Sequence, residues 1–402
     1  MEAYLLDCAN LLLRWLHLIV AIAWIGSSFY FVWLDNHLTP PSDESLRRQG
    51  VAGELWAVHG GGFYNPQKYL GAPPALPAKL HWFYWESYST WLSGFALFTL
   101  IYLSNPRSYL IDTRVADLTP SIAVAAALGI LVAGWLLYDV LCRLLRKNDR
   151  ALSLAIVALV VGMSWINCHL FSGRAAFLIS GAMQATIMSA NVLFWIIPGQ
   201  RKVVAAIQAG QPIDPIHGQR GKQRSVHNTY FTLPVLFAML SNHYSMTYSA
   251  EHNWLVLVLI MLAGVLIRQY FVLRHKGQQR LALPLAALAL LAITAVLMAP
   301  APAPATTAAT AAAPATERYA AVRHIIEQRC IQCHSAHPSL MGVAAKGLLL
   351  DNDATILAKA PLIYQQVVQQ KIMPLGNLTN ITDQERATIG AWYEAGANAA
   401  AK

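Results

Sequence analysis

The sequence predicts an all-α protein, an eight-helix transmembrane bundle followed by a small all-α domain on a flexible Ala/Pro linker. Three observations carry this expectation. Hydrophobic residues fill 56% of the 402 positions and charged residues only 12%, far below the roughly one quarter charged of a soluble globular protein. Apolar runs recur at close to the about 20 residues that cross a bilayer. Finally, the low-complexity stretch APAPAPATTAATAAAPAT, residues 299–316, separates these runs from a more polar tail.

The apolar runs are Leu11 to Leu34, Phe83 to Leu103, Ser121 to Cys142, Ala151 to Leu170, Ala175 to Ile197, Tyr230 to Tyr248, Trp254 to Leu273 and Leu281 to Met298. Glu2 and Asp7 stand where a signal peptide would carry basic residues, and no small-residue cleavage site follows the first run, so that helix is expected to stay as an anchor. The domains expected are a membrane domain over 1–298, the linker, and a tail over 317–402.

A formal charge of +9 invites a nucleic-acid reading, but the basic residues track alternate loops. They cluster between Arg47 and Lys79, Arg143 and Arg150, Arg201 and Arg224, and Arg274 and Arg280, whereas the opposite loops hold Arg107, Arg114 and Arg174. By the positive-inside rule the first set is cytoplasmic, which places the N-terminus and the tail outside. The charge is therefore topology, and nucleic acid is excluded as a partner; membrane lipid is expected as one.

The linker cannot build a core, and Pro-rich segments behave as semi-rigid spacers reaching roughly 3 Å per residue, on the order of 50 Å here. After it, an amphipathic helix from Tyr319 to Gln328 runs into Cys330-Ile331-Gln332-Cys333-His334. C-x-x-C-H is the attachment signature of haem c: two thiols at this spacing add to the two vinyl groups of one haem, and the adjacent histidine coordinates iron. Met373, in Lys371-Ile372-Met373-Pro374, is the expected sixth ligand. The tail is thus expected to be a cytochrome c domain, with His334 and Met373 as metal ligands and a final helix, Asp383 to Ala395, closing over the haem edge with Trp392 and Tyr393. A zinc site using Cys330, Cys333, His334 and His337 is the competing reading. Cys8, Cys142 and Cys168 read as small buried hydrophobes.

Ionisable residues inside spans are costly and count as functional candidates. His17, His169 and His243 fall at similar depth on the tail side. They either hold a second, non-covalent haem (haem b), for which His17 and His243 are candidates, or line a substrate pocket, or each satisfies a helix contact. His81, Glu86, Asp139 and Arg268 lie toward the opposite side, Glu86 and Arg268 either functional or paired with each other. The long loop from Asp35 to Leu80 contains Gly53-Glu54-Leu55-Trp56-Ala57-Val58-His59-Gly60-Gly61-Gly62-Phe63-Tyr64; its alternation predicts a short strand, and its glycines a tight turn or the close approach of a ligand. No nucleotide-binding fingerprint follows.

Across its whole length the chain resembles the bacterial membrane-bound urate oxidase (urate hydroxylase) family with its C-terminal cytochrome c domain. The resemblance rests on Arg14-Trp15-Leu16-His17, Trp24 to Tyr30, the Gly53 to Tyr64 segment, His81 to Glu86, His169 to Arg174, and Asn228 to Pro234 running to Asn242-His243-Tyr244. It implies purine catabolism at the bacterial inner membrane. Urate is oxidised to 5-hydroxyisourate, and electrons pass to the fused cytochrome on the periplasmic side and onward to a respiratory acceptor such as a cytochrome c oxidase. Glu86, His169, Arg174 and Arg268 are the candidate catalytic residues; Arg174 or Arg268, with Asn242, Gln184, Trp85 or Tyr84, would suit a flat anion rich in hydrogen-bonding edges. Two electrons leave urate while one haem c accepts one, which is the reason to expect a second haem. The alternative is a non-catalytic membrane subunit relaying electrons from quinol or a partner; a transporter is disfavoured because no pair of Gly/Pro-broken helices repeats in the two halves.

Overall fold

The computed structural model describes residues 2–69, 71–299, 314–340 and 344–397. Most of the linker and Met341 lie outside the described residues.

Helices occupy every predicted apolar run. They are α1 (Glu2–His37), α3 (Trp85–Phe98, prolonged by a π-helical turn Thr99–Leu103), α5 (Pro120–Leu144), α6 (Asp149–Leu170), α7 (Gly173–Asn191, continuing through a π turn into α8, Ile197–Gln208), α9 (Pro215–Leu240), α11 (Asn253–His275) and α12 (Ala282–Leu297). Short helices α2 (Glu44–Arg48), α4 (Pro106–Tyr109) and α10 (Ser245–Tyr248) lie in the connections. Among the described residues five stretches are long and apolar enough to cross a membrane, beginning at Tyr4, Pro120, Asp149, Gly173 and Asn253; α12 is apolar but shorter.

Local chemistry sets the helix starts. Thr119 and Ser172 accept the N–H groups of Ile122 and Ala175, while Asn148 and Asp214 accept those of Ala151 and Ile216, and each removes an orphan donor of the first turn. Pro120 and Pro215 occupy the first helical position, where no N–H is needed.

At the centre of the bundle lies α7, packed against α3, α5, α6 and α9. Its small residues let neighbours approach closely: a Cβ on Gly181 would lie 2.5 Å from the Cβ of Ala238 on α9, the kind of contact that holds helices together where lipid removes the usual hydrophobic drive. In contrast, α12 is apolar nearly all round and largely exposed, with Ala287 and Thr294 buried against α11, as suits a lipid-facing helix.

Two departures from the sequence reading matter. The sixth predicted span, Tyr230 to Tyr248, is shifted: α9 begins fifteen residues earlier at Pro215 and ends at Leu240. Much of Pro215 to Thr229 is exposed, and the residues it does bury, Arg224, Asn228 and Thr229, are polar, so hydropathy alone reads the stretch as loop. Asp214-Pro215 is nevertheless a helix-start signature. At the other end, Ser241–His243 forms a 3-10 turn and α10 follows.

The second departure is in the long first loop, where four short strands replace one. Strands β1 (Val51–Glu54) and β4 (Gln67–Tyr69) pair antiparallel, as do β2 (Ala57–His59) and β3 (Gly62–Tyr64). Gly60 and Gly61, at φ +59 and +79, form the two-residue turn of the inner hairpin, a geometry that requires positive φ at both positions. Of the two roles expected for these glycines, the turn is the one seen.

The tail folds around its own core. Tyr319, Val322 and Ile326 of α13 (Ala315–Arg329) pack with Ile389 and Trp392 of α16 (Asp383–Glu394), the rings of Tyr319 and Trp392 5.9 Å apart. Between them come α14 (Asp353–Ala358) and α15 (Ala360–Ile363), the latter followed by a π turn to Gln369. Trp392 is therefore a core residue, while Tyr393 stacks on Tyr364 at 4.3 Å.

Candidate functional site

A cavity of about 400 Å³ opens among α1, the start of α3, the end of α7 and the middle of α9, within the size range of small-molecule sites. Trp24, Phe31 and Phe83 supply aromatic walls, and Ser28, Gln200 and Asn228 supply polar edges. Glu86 and His81 bring ionisable groups. Asp35 stands at the same cavity and is paired at 2.8 Å with Lys68 of β4, so the folded loop is tied to its edge.

Behind Asn228 runs a buried polar network that sequence reasoning missed apart from Asp139. Asn191 donates to Asn228 Oδ1 at 2.9 Å and to Tyr138 Oη at 3.0 Å, and Tyr138 Oη lies 2.8 Å from His227 Nδ1. Arg224 Nη2 reaches Asp139 Oδ1 at 2.7 Å, Trp195 Nε1 donates to the same oxygen, and the guanidinium sits 5.0 Å from both the Tyr138 and Trp195 rings. Asn228 itself donates to Met188 O at 3.0 Å, which turns its amide into a fixed part of the cavity wall. The early start of α9 is the signal that would have found Arg224, His227 and Asn228 together: at i, i+3 and i+4 they share one helix face.

Of the four candidate catalytic residues, only Glu86 lines the cavity. Arg268 is 8% exposed and stacks at 4.6 Å on Phe29 of α1; its Nε and Nη2 are buried without a hydrogen-bond partner. The alternative of a Glu86–Arg268 pair is not met among the ion pairs of the described residues; Arg268 is turned onto the aromatic ring instead. Arg174 lies at the tail end of the bundle, donating to Asn242 Oδ1 at 2.9 Å beside the ring of Tyr109; Tyr102 donates to the same oxygen. His169 is exposed, its Nδ1 2.8 Å from Trp165 O.

The three histidines have no described neighbour in common. His17 contacts Ser93 Oγ at 3.0 Å and lies over Gly94, His169 stacks on Trp165, and His243 is exposed in its 3-10 turn. Gln184 is fully buried in the bundle, bonded to Ser180 O and Met261 Sδ; Trp85 is 63% exposed.

In the tail, Cys330 is buried at the end of α13 and Cys333 is half-buried, both free thiols. Burial pushes the Cys330 thiol up to about 12, raises Cys333 and lowers His334. His334 Nδ1 and Arg386 Nη2 are buried without partners, and Met373 packs on the cluster that contains Cys330. Arg386 holds the Met373 loop by donating to the carbonyls of Met373, at 2.8 Å, and Val367. Two thiols, an imidazole and a thioether around an apolar core are a donor set that fits haem c. No group of three or more His, Cys, Asp or Glu side chains suited to a metal ion occurs among the described residues, which counts against the Cys/His zinc reading.

The described residues form a mostly helical fold with helices long and apolar enough to cross a membrane, which defines a helical protein of membrane type with a cavity between its helices. Residues 3–299 match the family described as urate oxidase N-terminal. That match covers most of the chain, and the chain belongs to this family, an oxidoreductase assignment connected with urate. No curated protein and no solved structure matches it.

Proposed function

We propose that the chain oxidises urate to 5-hydroxyisourate in the cavity between α1, α3, α7 and α9, and passes the electrons to a haem c held by Cys330, Cys333, His334 and Met373. The observation that carries the reading is the Glu86 carboxylate facing an aromatic and amide-lined cavity in a chain of this family. Written in balance, urate and water give 5-hydroxyisourate, two protons and two electrons. A flat, anionic purine suits walls made by Trp24, Phe31 and Phe83, with Ser28, Gln200 and Asn228 at its edges. Glu86 accepts a proton as water adds to the ring. Arg268, stacked on Phe29 of α1, contributes positive charge from outside the cavity lining that favours an anion. Bound haem c supplies a one-electron acceptor. The basic loops, and with them the cavity, lie on the cytoplasmic side of an inner membrane; the tail is periplasmic, within reach of a respiratory acceptor.

The test is anaerobic addition of urate to the detergent-purified oxidised protein, followed by visible spectroscopy, with a haemochrome assay to count haems. Reduction of the c haem by urate is the expected result. Glu86→Gln is expected to slow it about 10²- to 10⁴-fold while leaving reduction by ascorbate unchanged. A haem reduced by quinol and not by urate would replace catalysis with a relay role. A count of two haems per chain would place the second in the membrane part; a count of one leaves the tail as the sole carrier.

A further inference from the structure

Among the described residues, two contacts between the tail and the rest of the chain bracket Met373. Ser245 Oγ, at the start of α10, donates to Gln370 Oε1 at 2.7 Å. Just beyond Met373, the turn Leu375–Asn377 rests against α4. There a Cβ on Gly376 would come within 2.5 Å of the Ile111 carbonyl oxygen and 3.4 Å of that of Arg107, so the backbones meet this closely only because the residue is glycine.

Charges of both signs meet across the contact: Asp383 at the start of α16 acts favourably on Arg114 in the loop after α4 and Asp112 on Arg386, while Arg114 opposes Arg386. The two parts keep separate cores, with no buried residue shared between their clusters, and intrachain interfaces of this kind permit relative motion. Beneath the contact, the rings of Tyr109, Tyr102 and Phe98 follow one another at 5.4 and 5.7 Å toward α3.

We propose that α4, the loop through Asp112 and Ser245 form a docking station for the chain's own tail, which sets its Met373 side there to collect electrons and then leaves to deliver them. The inference rests on the proposed urate reaction. That reaction releases two electrons, and a tail with one C-x-x-C-H motif carries one, so the tail docks twice per urate and hands each electron to an external one-electron acceptor. The same Met373 side serves both encounters, and the linker length permits both.

Cysteine trapping tests the station in the full-length protein. Ser245→Cys with Gln370→Cys is expected to give, after mild oxidation, a disulfide-linked peptide pair by mass spectrometry at least tenfold more abundant than Ser245→Cys with Lys359→Cys, a tail position that is exposed and outside the contact. Gly376→Asn keeps a residue tolerant of positive φ but adds a Cβ facing Ile111. Combined with the first pair it is expected to cut trapping tenfold or more, and alone to slow urate-driven reduction of the tail by the same order with its haem spectrum and ascorbate reduction unchanged. Equal trapping in the two pairs, or trapping unaffected by Gly376→Asn, overturns the station. A wild-type tail that urate does not reduce overturns the urate reading instead, and the trapping comparison still decides the docking.

Discussion

Arg224 on α9 and Asp139 on α5 form an ion pair at 2.7 Å, with side chains 3% and 8% exposed. The second carboxylate oxygen is held by Arg143 at 2.7 Å, and Trp195 from the π turn between α7 and α8 bonds the first. One carboxylate thus gathers three elements at the basic end of the bundle.

Removing one member of such a pair strands the other. Asp139→Leu is expected to destabilise the protein by about 3–5 kcal/mol, whereas Asp139→Leu combined with Arg224→Met recovers most of that loss. Thermal unfolding in detergent measures both, and a single variant as stable as the parent would show that the pair is not a structural tie.

Crowding at the centre gives a second expectation. Gly181 meets Ala238 Cβ, and an alanine side chain has no rotamer with which to retreat. Gly181→Val should force α7 and α9 apart, costing about 1–3 kcal/mol, while Gly129→Ala, where a Cβ meets nothing within 4 Å, should be neutral or slightly stabilising. Comparing the two melting temperatures checks the packing directly.

The C-terminal helix carries a pH signature. Burial raises the Glu385 carboxyl, but the Thr382 backbone N–H, the Arg329 guanidinium and the Thr382 hydroxyl outweigh it and hold it below its ordinary value. A carboxyl depressed on folding stabilises above its unfolded pKa and loses that contribution as pH falls through the folded value. Hydrogen exchange in 383–394 should therefore quicken on acidification below the usual carboxylate range, and Glu385→Gln should flatten the dependence. A profile identical in both proteins would remove Glu385 as its source.

Haem attachment separates the roles of three residues. Cys330→Ser and Cys333→Ser are each expected to weaken or abolish covalent attachment in the haemochrome assay. Met373→Ala should retain covalent haem with a lowered reduction potential, since methionine as the sixth ligand raises it. Loss of covalent haem in Met373→Ala would instead point to a folding role for that loop.

The extent to which the chain was legible follows from these residues. Apolar runs located the helices, because a span must be apolar over a fixed length; α9 escaped in part because much of its first half is exposed and the few residues it buries, Arg224, Asn228 and Thr229, are polar. The C-x-x-C-H motif was visible since covalent attachment demands a fixed local spacing, whereas the Tyr138, Asn191, Arg224 and Asn228 network joins residues up to 90 positions apart and has no local signature.

By itself the sequence determined the helical class, the division into apolar part, linker and tail, the thiol pair with its histidine, and Glu86 as an ionisable residue worth attention. Each is set by composition or by neighbours within one or two helical turns. Only the tertiary structure decided that Glu86 faces the cavity while Arg268 turns onto Phe29, that His17, His169 and His243 have separate surroundings, and that Gly376 brings the Met373 loop onto α4. Those outcomes depend on helix rotation and on contacts between distant segments, and hydrophobic periodicity leaves both open when several faces of a helix are apolar.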